Sequence, residues 1–127
     1  LDGRIARLAM GEPGAVPAGV YGRRWLERQG VWPRIAPKVI PFPTARAALS
    51  AVEAGRVDAG IVFGTDAATS AARVVSIVSK KAHPYLDIAY PVAVIKGPQE
   101  ADAKRFLEFL KGPPARAVFD RRGFGRP

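Results

Sequence analysis

Residues Asp58 to Phe63 constrain the fold most, because they read D-A-G-I-V-F and are apolar almost without interruption. A strand with one solvated face alternates apolar and polar residues, whereas a continuous apolar run is typical of a strand buried on both faces. Such strands belong to parallel sheets, whose strands are joined by crossover helices. The sequence therefore predicts an α/β fold with a mostly parallel sheet.

Strand-like and helix-like segments alternate along the chain. The apolar spacing predicts strands at Ile5 to Met10, Asp58 to Phe63, Val74 to Val78 and Tyr90 to Ile95, and helices at Ala18 to Gln29 and Ala45 to Ala54. Pro17 precedes the first helix, where its missing N–H costs nothing, and Thr44 can cap the second. Prolines interrupt the extended connection predicted from Val31 to Pro43. Two further helices are predicted, one starting near Glu100 and a short one ending at Gly123. They share an apolar stripe and have no strand next to them in the sequence.

Composition excludes several classes of protein. The chain has 127 residues, of which 48% are apolar, which suits one folded domain and argues against disorder. It has no cysteine, so a disulfide framework is excluded, and its apolar runs are too short to span a membrane. Because it opens at Leu1-Asp2 without an initiator Met or a signal peptide, we expect a processed or truncated chain.

The formal net charge of +9 leaves two interpretations of the basic residues. They are scattered in pairs such as Arg23-Arg24 and Lys80-Lys81, which is typical of a solvated surface. A nucleic-acid partner is the alternative, but the chain has no run of five or more bases and no ribonucleoprotein-type aromatic pattern. We therefore expect no nucleic-acid partner.

The loop from Gly11 to Gly19 leads directly into the first predicted helix, which has no acid before Glu27. The first turn of a helix leaves backbone N–H groups unbonded, and these donors with the positive end of the helix dipole favour an anion. Proteins with open parallel sheets bind ligands near such helix starts. Three stretches of this chain fit the description, namely the loop ending at Ala18, the helix start at Thr44-Ala45, and Phe63 to Thr65. The alternative is that these helix starts bind only water.

Residues for catalysis are not evident. The one histidine, His83, stands between lysine and proline, which favours a loop residue over a base or ligand. Glu12 and Asp66 are either a carboxylate pair or, as we favour, turn and cap residues. Nucleophile, metal and nucleotide motifs are absent or incomplete. The sequence predicts no enzyme, no metal and no cofactor.

Several motifs in order resemble those of periplasmic molybdate-binding proteins. The segment Gly11-Glu12-Pro13 with Val16 to Tyr21 is similar to the family motif G-D-P-x-x-V-P-A-G-x-Y. The segments Arg46 to Leu49 and Val52 to Gly55 resemble the motif V-R-x-A-L-x-x-V-E-x-G. The segment Gly60 to Ala67 resembles the motif G-I-V-Y-x-T/S-D-A. His83-Pro84, Tyr90 to Ala93 and Phe119 to Phe124 also fit. The resemblance covers nearly the whole chain.

The resemblance implies a solute-binding protein of an ABC importer with the type II periplasmic fold. Residues 1–95 would form its second, three-layer lobe, and residues 96–127 would be C-terminal helices packed on a first lobe outside this chain. That first lobe normally carries two hydroxyl-bearing ligand residues. The ligand site would use the N–H of Ala18, the N–H of Ala45, and the position of Phe63, where the family has a tyrosine whose hydroxyl is lost here.

The implied partners are a small oxyanion and the membrane permease of the importer, and the implied location is periplasmic or extracytoplasmic. Molybdate, tungstate and sulfate share charge and donor demands, so the sequence does not distinguish them. A ligand-sensing or enzymatic domain built on the same fold is the alternative function.

Overall fold

The computed structural model describes residues 5–70 and 88–124. The chain divides into two compact units, Leu1–Leu86 and Asp87–Pro127. Two sequence-based expectations, the strand at Val74 to Val78 and the loop position of His83, lie outside the described residues.

Three short strands form the sheet of the first unit. They are β1 (Leu8–Gly11), β2 (Val39–Phe42) and β3 (Ala59–Ile61). The strand order is β2-β1-β3, and Leu8 pairs with Val39 on one side and with Ala59 on the other. Both strand pairs are parallel, so the predicted α/β fold with a parallel sheet is confirmed for the described residues.

The strand that is buried on both faces is β1. All four of its residues are buried, whereas the residues of β3 are half-buried or exposed. The sheet order explains the difference, because β1 lies between two strands and β3 pairs only with β1 within the described residues. The prediction of full burial from Asp58 to Phe63 is therefore wrong.

Helices cover both faces of the sheet. On one face α1 (Pro17–Arg28) contributes Leu26 to a core with Leu8 and Ile35. On the other face α3 (Ala45–Glu53) contributes Ala48 and Ala51 to a core with Ala9 and Val57. The connection from β1 to β2 and the connection from β2 to β3 run in opposite directions along the sheet, and right-handed crossovers then place their helices on opposite faces. Both helices begin and end within one or two residues of the predicted bounds.

The predicted extended connection from Val31 to Pro43 contains three regular elements. They are α2 (Trp32–Ile35), a 3-10 turn at Ala36–Lys38, and β2. Pro33 and Pro37 sit in the first turns of the two short helices, where proline is tolerated. Pro41 lies within β2, which is an outer strand of the described sheet, and edge strands accept proline. The predicted extended conformation is found in β2, whereas the prediction is wrong for residues 32–38, which are helical.

Asp58 fastens the start of β1 to the start of β3. Its carboxylate accepts hydrogen bonds from the backbone N–H of Arg7 at 2.7 Å and of Ala6 at 3.0 Å. The Arg7 guanidinium lies 3.6 Å from the same carboxylate. The backbone bonds from Arg7 and Ala6, with the charge of Arg7, lower the pKa of Asp58.

A short helix, α4 (Gly64–Ala67), follows β3 in the first unit. The described residues of the second unit contain α5 (Glu100–Lys111) and α6 (Pro113–Arg121). The prediction of a strand at Tyr90 to Ile95 is wrong, because these residues have no regular structure and Ile95 is 83% exposed. A strand requires a pairing partner, and none is present for them in residues 88–124. The Phe124 ring makes edge contacts with Tyr90 and Phe119.

Two phenylalanine rings of α5 are open to solvent. None of the residues of α5 is buried, and Phe106 and Phe109 stack on each other while remaining 61% and 54% exposed. Helices long and apolar enough to cross a membrane were not found in the described parts of the chain.

Candidate functional site: open helix starts at one sheet edge

The carboxyl ends of the three parallel strands share one edge of the sheet, and a helix begins soon after each. β1 ends at Gly11 before α1 begins at Pro17, β2 ends at Phe42 before α3 begins at Ala45, and β3 ends at Ile61 before α4 (Gly64–Ala67). Adjacent strands of a sheet lie about 4.8 Å apart. The structure therefore brings the three stretches singled out by the sequence to the same edge, with α1 and α3 following adjacent strands.

The loop between β1 and α1 is organised by Glu12. Its backbone N–H donates to the Phe42 carbonyl at 2.9 Å, which ties this loop to the end of β2. Its carbonyl accepts from Ala15 and Val16, and its carboxylate accepts from the Gly14 N–H at 3.2 Å. Glu12 therefore acts as a turn residue, the role that the sequence favoured over a catalytic carboxylate.

The first turn of α1 has N–H groups without acceptors. Val16 is the cap residue, its side chain makes no cap hydrogen bond, and the turn holds no acidic residue. Within the described residues, no acceptor bonds the N–H of Ala18 or of Gly19. Ala18 is only 3% exposed. An unpaired donor on a buried residue is costly, so this turn is suited to a hydrogen-bond acceptor from outside the chain.

The first turn of α3 is capped but still leaves two donors. The Thr44 hydroxyl accepts from the Ala47 N–H at 3.0 Å, and the Thr44 carbonyl accepts from the Ala48 N–H. The N–H groups of Ala45 and Arg46 have no acceptor among the residues that the structure describes. As in α1, the first turn carries no acid.

Phe63 lies two residues beyond β3 and is the cap residue of α4. Its carbonyl accepts from the N–H groups of Asp66 and Ala67, both at 3.0 Å. The half-buried side chain is a phenyl ring and offers no hydroxyl donor. At this edge Phe63 therefore contributes apolar surface, whereas Ala18 and Ala45 contribute backbone donors.

Sequence reasoning missed the open N–H groups of Gly19 and Arg46. The general rule that four N–H groups at a helix start lack intrahelical acceptors would have found them. Taken together, the starts of α1 and α3 offer four neutral donors and the positive ends of two helix dipoles. This arrangement can hold an anion without burying a positive side chain, which avoids the cost of a buried ion pair. Clusters of metal-ligating side chains were not found in residues 5–70 and 88–124.

A sequence profile of the family described as bacterial extracellular solute-binding protein matches residues 1–125. The molybdate-binding protein ModA of Escherichia coli (strain K12) is 41% identical over 119 residues, which are 93% of this chain and 46% of that protein. A putative ABC transporter substrate-binding lipoprotein, YvgL of Bacillus subtilis (strain 168), is 38% identical over 120 residues, which are 93% of this chain and 45% of that protein.

A solved structure has the same fold. The substrate-binding domain of a putative molybdenum ABC transporter from Clostridium difficile superimposes with a TM-score of 0.79 at 28% identity, covering 99% of this chain and 55% of that chain. The α/β architecture of a solute-binding lobe is thereby confirmed. The chain spans about half the length of the curated relatives it matches.

Proposed function

Because the chain belongs to the bacterial extracellular solute-binding protein family, we propose that it supplies half of a receptor for a tetrahedral oxyanion. Molybdate is the first candidate ligand, since one of its relatives is named for molybdate binding. Tungstate has the same charge and shape and is the second. The receptor would bind and release its ligand without chemical change, as the solute-binding component of an ABC importer.

The observation that carries this proposal is the pair of open helix starts at adjacent strands. The N–H groups of Ala18 and Ala45 lack acceptors within the described residues and follow strands that are paired along their whole length. An oxyanion between them would accept hydrogen bonds from both. Phe63, at the same edge, would border the ligand with an apolar ring.

Magnitudes indicate that this half binds weakly by itself. A hydrogen bond to a charged group contributes about 1.5–3 kcal/mol. Of the four open N–H groups the proposal assigns two, those of Ala18 and Ala45, to the ligand, and these contribute at most about 6 kcal/mol. Association costs at least about 4 kcal/mol, and nanomolar affinity requires about 12 kcal/mol. The isolated chain should therefore bind molybdate with a Kd of about 1 mM or weaker.

We propose that the remaining donors come from a first lobe on which residues 96–127 pack. The exposed rings of Phe106 and Phe109 on α5 support this proposal. Residues 1–95 would then form the second lobe. The permease of the importer would be the protein partner, and the receptor would work in the periplasm or an equivalent extracytoplasmic space.

Calorimetric titration with molybdate tests the proposal in two samples. One is the isolated chain, and the other is a two-lobed receptor in which this chain supplies the second lobe. We expect weak binding to the first and at least a thousandfold tighter binding to the second, on the order of the difference between millimolar and micromolar Kd. Sub-micromolar binding by the isolated chain would contradict the half-site, and a two-lobed receptor that ignores molybdate and tungstate would contradict the function.

A further inference from the structure

Gly19, in the first turn of α1, lies so close to neighbouring backbone atoms that a residue with a Cβ atom would not fit without a shift of the backbone. A Cβ atom at this position would be 2.0 Å from the carbonyl oxygen of Gly11 and 2.7 Å from that of Glu12. Both obstacles are backbone atoms, so no change of side-chain rotamer relieves the overlap. An alanine at position 19 would therefore have to push the first turn of α1 away from the end of β1.

Space, and not backbone conformation, requires glycine here. The described glycines with positive φ are Gly30, Gly55 and Gly123, and Gly19 is not among them. Alanine suits a helix better than glycine does. The helix thus carries a residue of poor helix propensity at the one turn that offers the open N–H groups.

The backbone that Gly19 touches is tied to the end of β2. Gly11 is the last residue of β1 and pairs with Phe42 of β2, and Glu12 donates to the Phe42 carbonyl. Contact with this backbone fixes the first turn of α1 relative to the end of β2, after which α3 begins. The position of the Ala18 N–H relative to the Ala45 N–H consequently depends on this contact.

We infer that Gly19 is a positioning residue for the oxyanion: its lack of a Cβ lets α1 seat directly on the Gly11–Glu12 backbone and holds the Ala18 N–H where the ligand accepts it. This inference rests on the proposed function. It predicts that enlarging residue 19 weakens the contribution of Ala18 while leaving that of Ala45 in place.

The test follows individual amide signals by two-dimensional NMR while sodium molybdate is added to the 127-residue chain, with ionic strength matched by sodium chloride. In the parent chain the signals of Ala18 and Ala45 should shift with the same midpoint. In Gly19→Ala the common midpoint should rise by about tenfold or more, because the lost bond is to a charged group, and at equal occupancy the Ala18 shift should fall relative to the Ala45 shift. The Ala45 signal should still respond.

Gly22→Ala is the matched control on the same helix. A Cβ at Gly22 would meet only side-chain ends, Ile61 Cγ2 at 2.8 Å and Met10 Cε at 3.0 Å. This variant disturbs the packing of α1 one turn further on, so it should lower stability without changing the ratio of the Ala18 and Ala45 responses. If the ratio of the Ala18 shift to the Ala45 shift at equal occupancy in Gly19→Ala stays as in the parent, the positioning role is wrong. If neither signal of the parent chain shifts, the half-site at Ala18 and Ala45 is wrong, and titration of the two-lobed receptor decides whether the function is wrong as well.

Gly11→Ala provides a second variant should Gly19→Ala not fold. A Cβ at Gly11 would lie 2.5 Å from Cγ1 and 2.9 Å from Cβ of Val16, and 3.3 Å from the Gly19 nitrogen. Gly11→Ala should therefore also weaken the Ala18 response, and adding Val16→Gly should restore most of it by removing the obstructing side chain. The inference is overturned if the Ala18 response stays lost when Val16→Gly is added, or if Gly11→Ala alone does not weaken that response.

Discussion

Replacing Ala45 with proline removes one backbone N–H from the proposed site and leaves α3 intact. Ala45 is the first residue of α3, the position at which proline is best accepted in a helix. Thr44 has φ −148° and ψ 157°, which is the extended conformation that a residue before proline adopts. The two capping bonds run from Ala47 and Ala48 to Thr44 and do not involve the Ala45 nitrogen. The substitution therefore isolates a single donor.

The expected loss follows from the strength of one bond. A hydrogen bond to a charged group is worth about 1.5–3 kcal/mol, which corresponds to an increase in Kd of about 10- to 150-fold. We expect this increase for molybdate when Ala45→Pro is introduced into a two-lobed receptor containing this chain and titrated by calorimetry. The free energy of unfolding, measured with urea, should change by less than about 0.5 kcal/mol.

Ala45→Ser is the matched control because it changes the side chain and keeps the N–H. Its Kd should stay within about twofold of the parent. The reasoning is refuted if Ala45→Pro, with unchanged stability, also binds molybdate within about twofold of the parent. That result would mean that the open donor at the start of α3 faces something other than the ligand.

Three further substitutions test other parts of the structure. Asp58→Asn removes the carboxylate whose pKa is lowered on folding. That carboxylate stabilises the fold above its unfolded pKa, and its contribution is lost as the pH falls through the folded pKa. The urea midpoint of the variant should therefore depend less on pH in the acidic range, and an unchanged dependence would contradict this. Met10→Ala empties the largest fully buried side-chain position and should cost about 2–5 kcal/mol by chemical denaturation, whereas Ile95→Ala, at an exposed position, should cost less than about 0.5 kcal/mol. Phe63→Tyr in the two-lobed receptor should tighten oxyanion binding by about tenfold if its hydroxyl reaches the ligand, and an unchanged Kd would show that another group serves in its place.

Local signals in the sequence were enough to predict the longer helices. Pro17 and Thr44 marked the starts of α1 and α3, and the structure places both residues at those positions. Gly30 and Gly55 follow these helices with φ values of 68° and 66°, the left-handed conformation that glycine accepts after a helix. Capping and periodicity act within a few residues, which is why sequence inspection captures them.

Strands were harder to predict, because a strand forms only where another strand pairs with it and the sequence does not show which segments pair. The segment around Pro41 becomes β2 only because the end of β1 pairs with it. The apolar run from Tyr90 to Ile95 resembles a strand equally well, but no strand pairs with it in the described residues. Sheet formation is decided by distant neighbours, so a single sequence gives weak information about it.

The candidate site was predicted in part. Ala18 and Ala45 were chosen as helix starts, and the structure brings both to one sheet edge with free donors. Their roles as ligands stay predictions, as does the effect of Phe63. The close contact of Gly19 with Gly11 could not be foreseen, because it depends on how α1 is seated on the strand and not on any residue pattern.

The proposed donors belong to the main chain of two residues that are already alanine. Systematic replacement by alanine, the usual way to map a binding surface, would leave both positions unchanged and would not detect their backbone donors. At position 45 a change of side chain such as Ala45→Ser keeps the N–H, whereas at position 18 the buried methyl group is constrained by packing. At both positions the path of the backbone decides recognition. Such a site is best probed by editing amides, through proline or an amide-to-ester exchange.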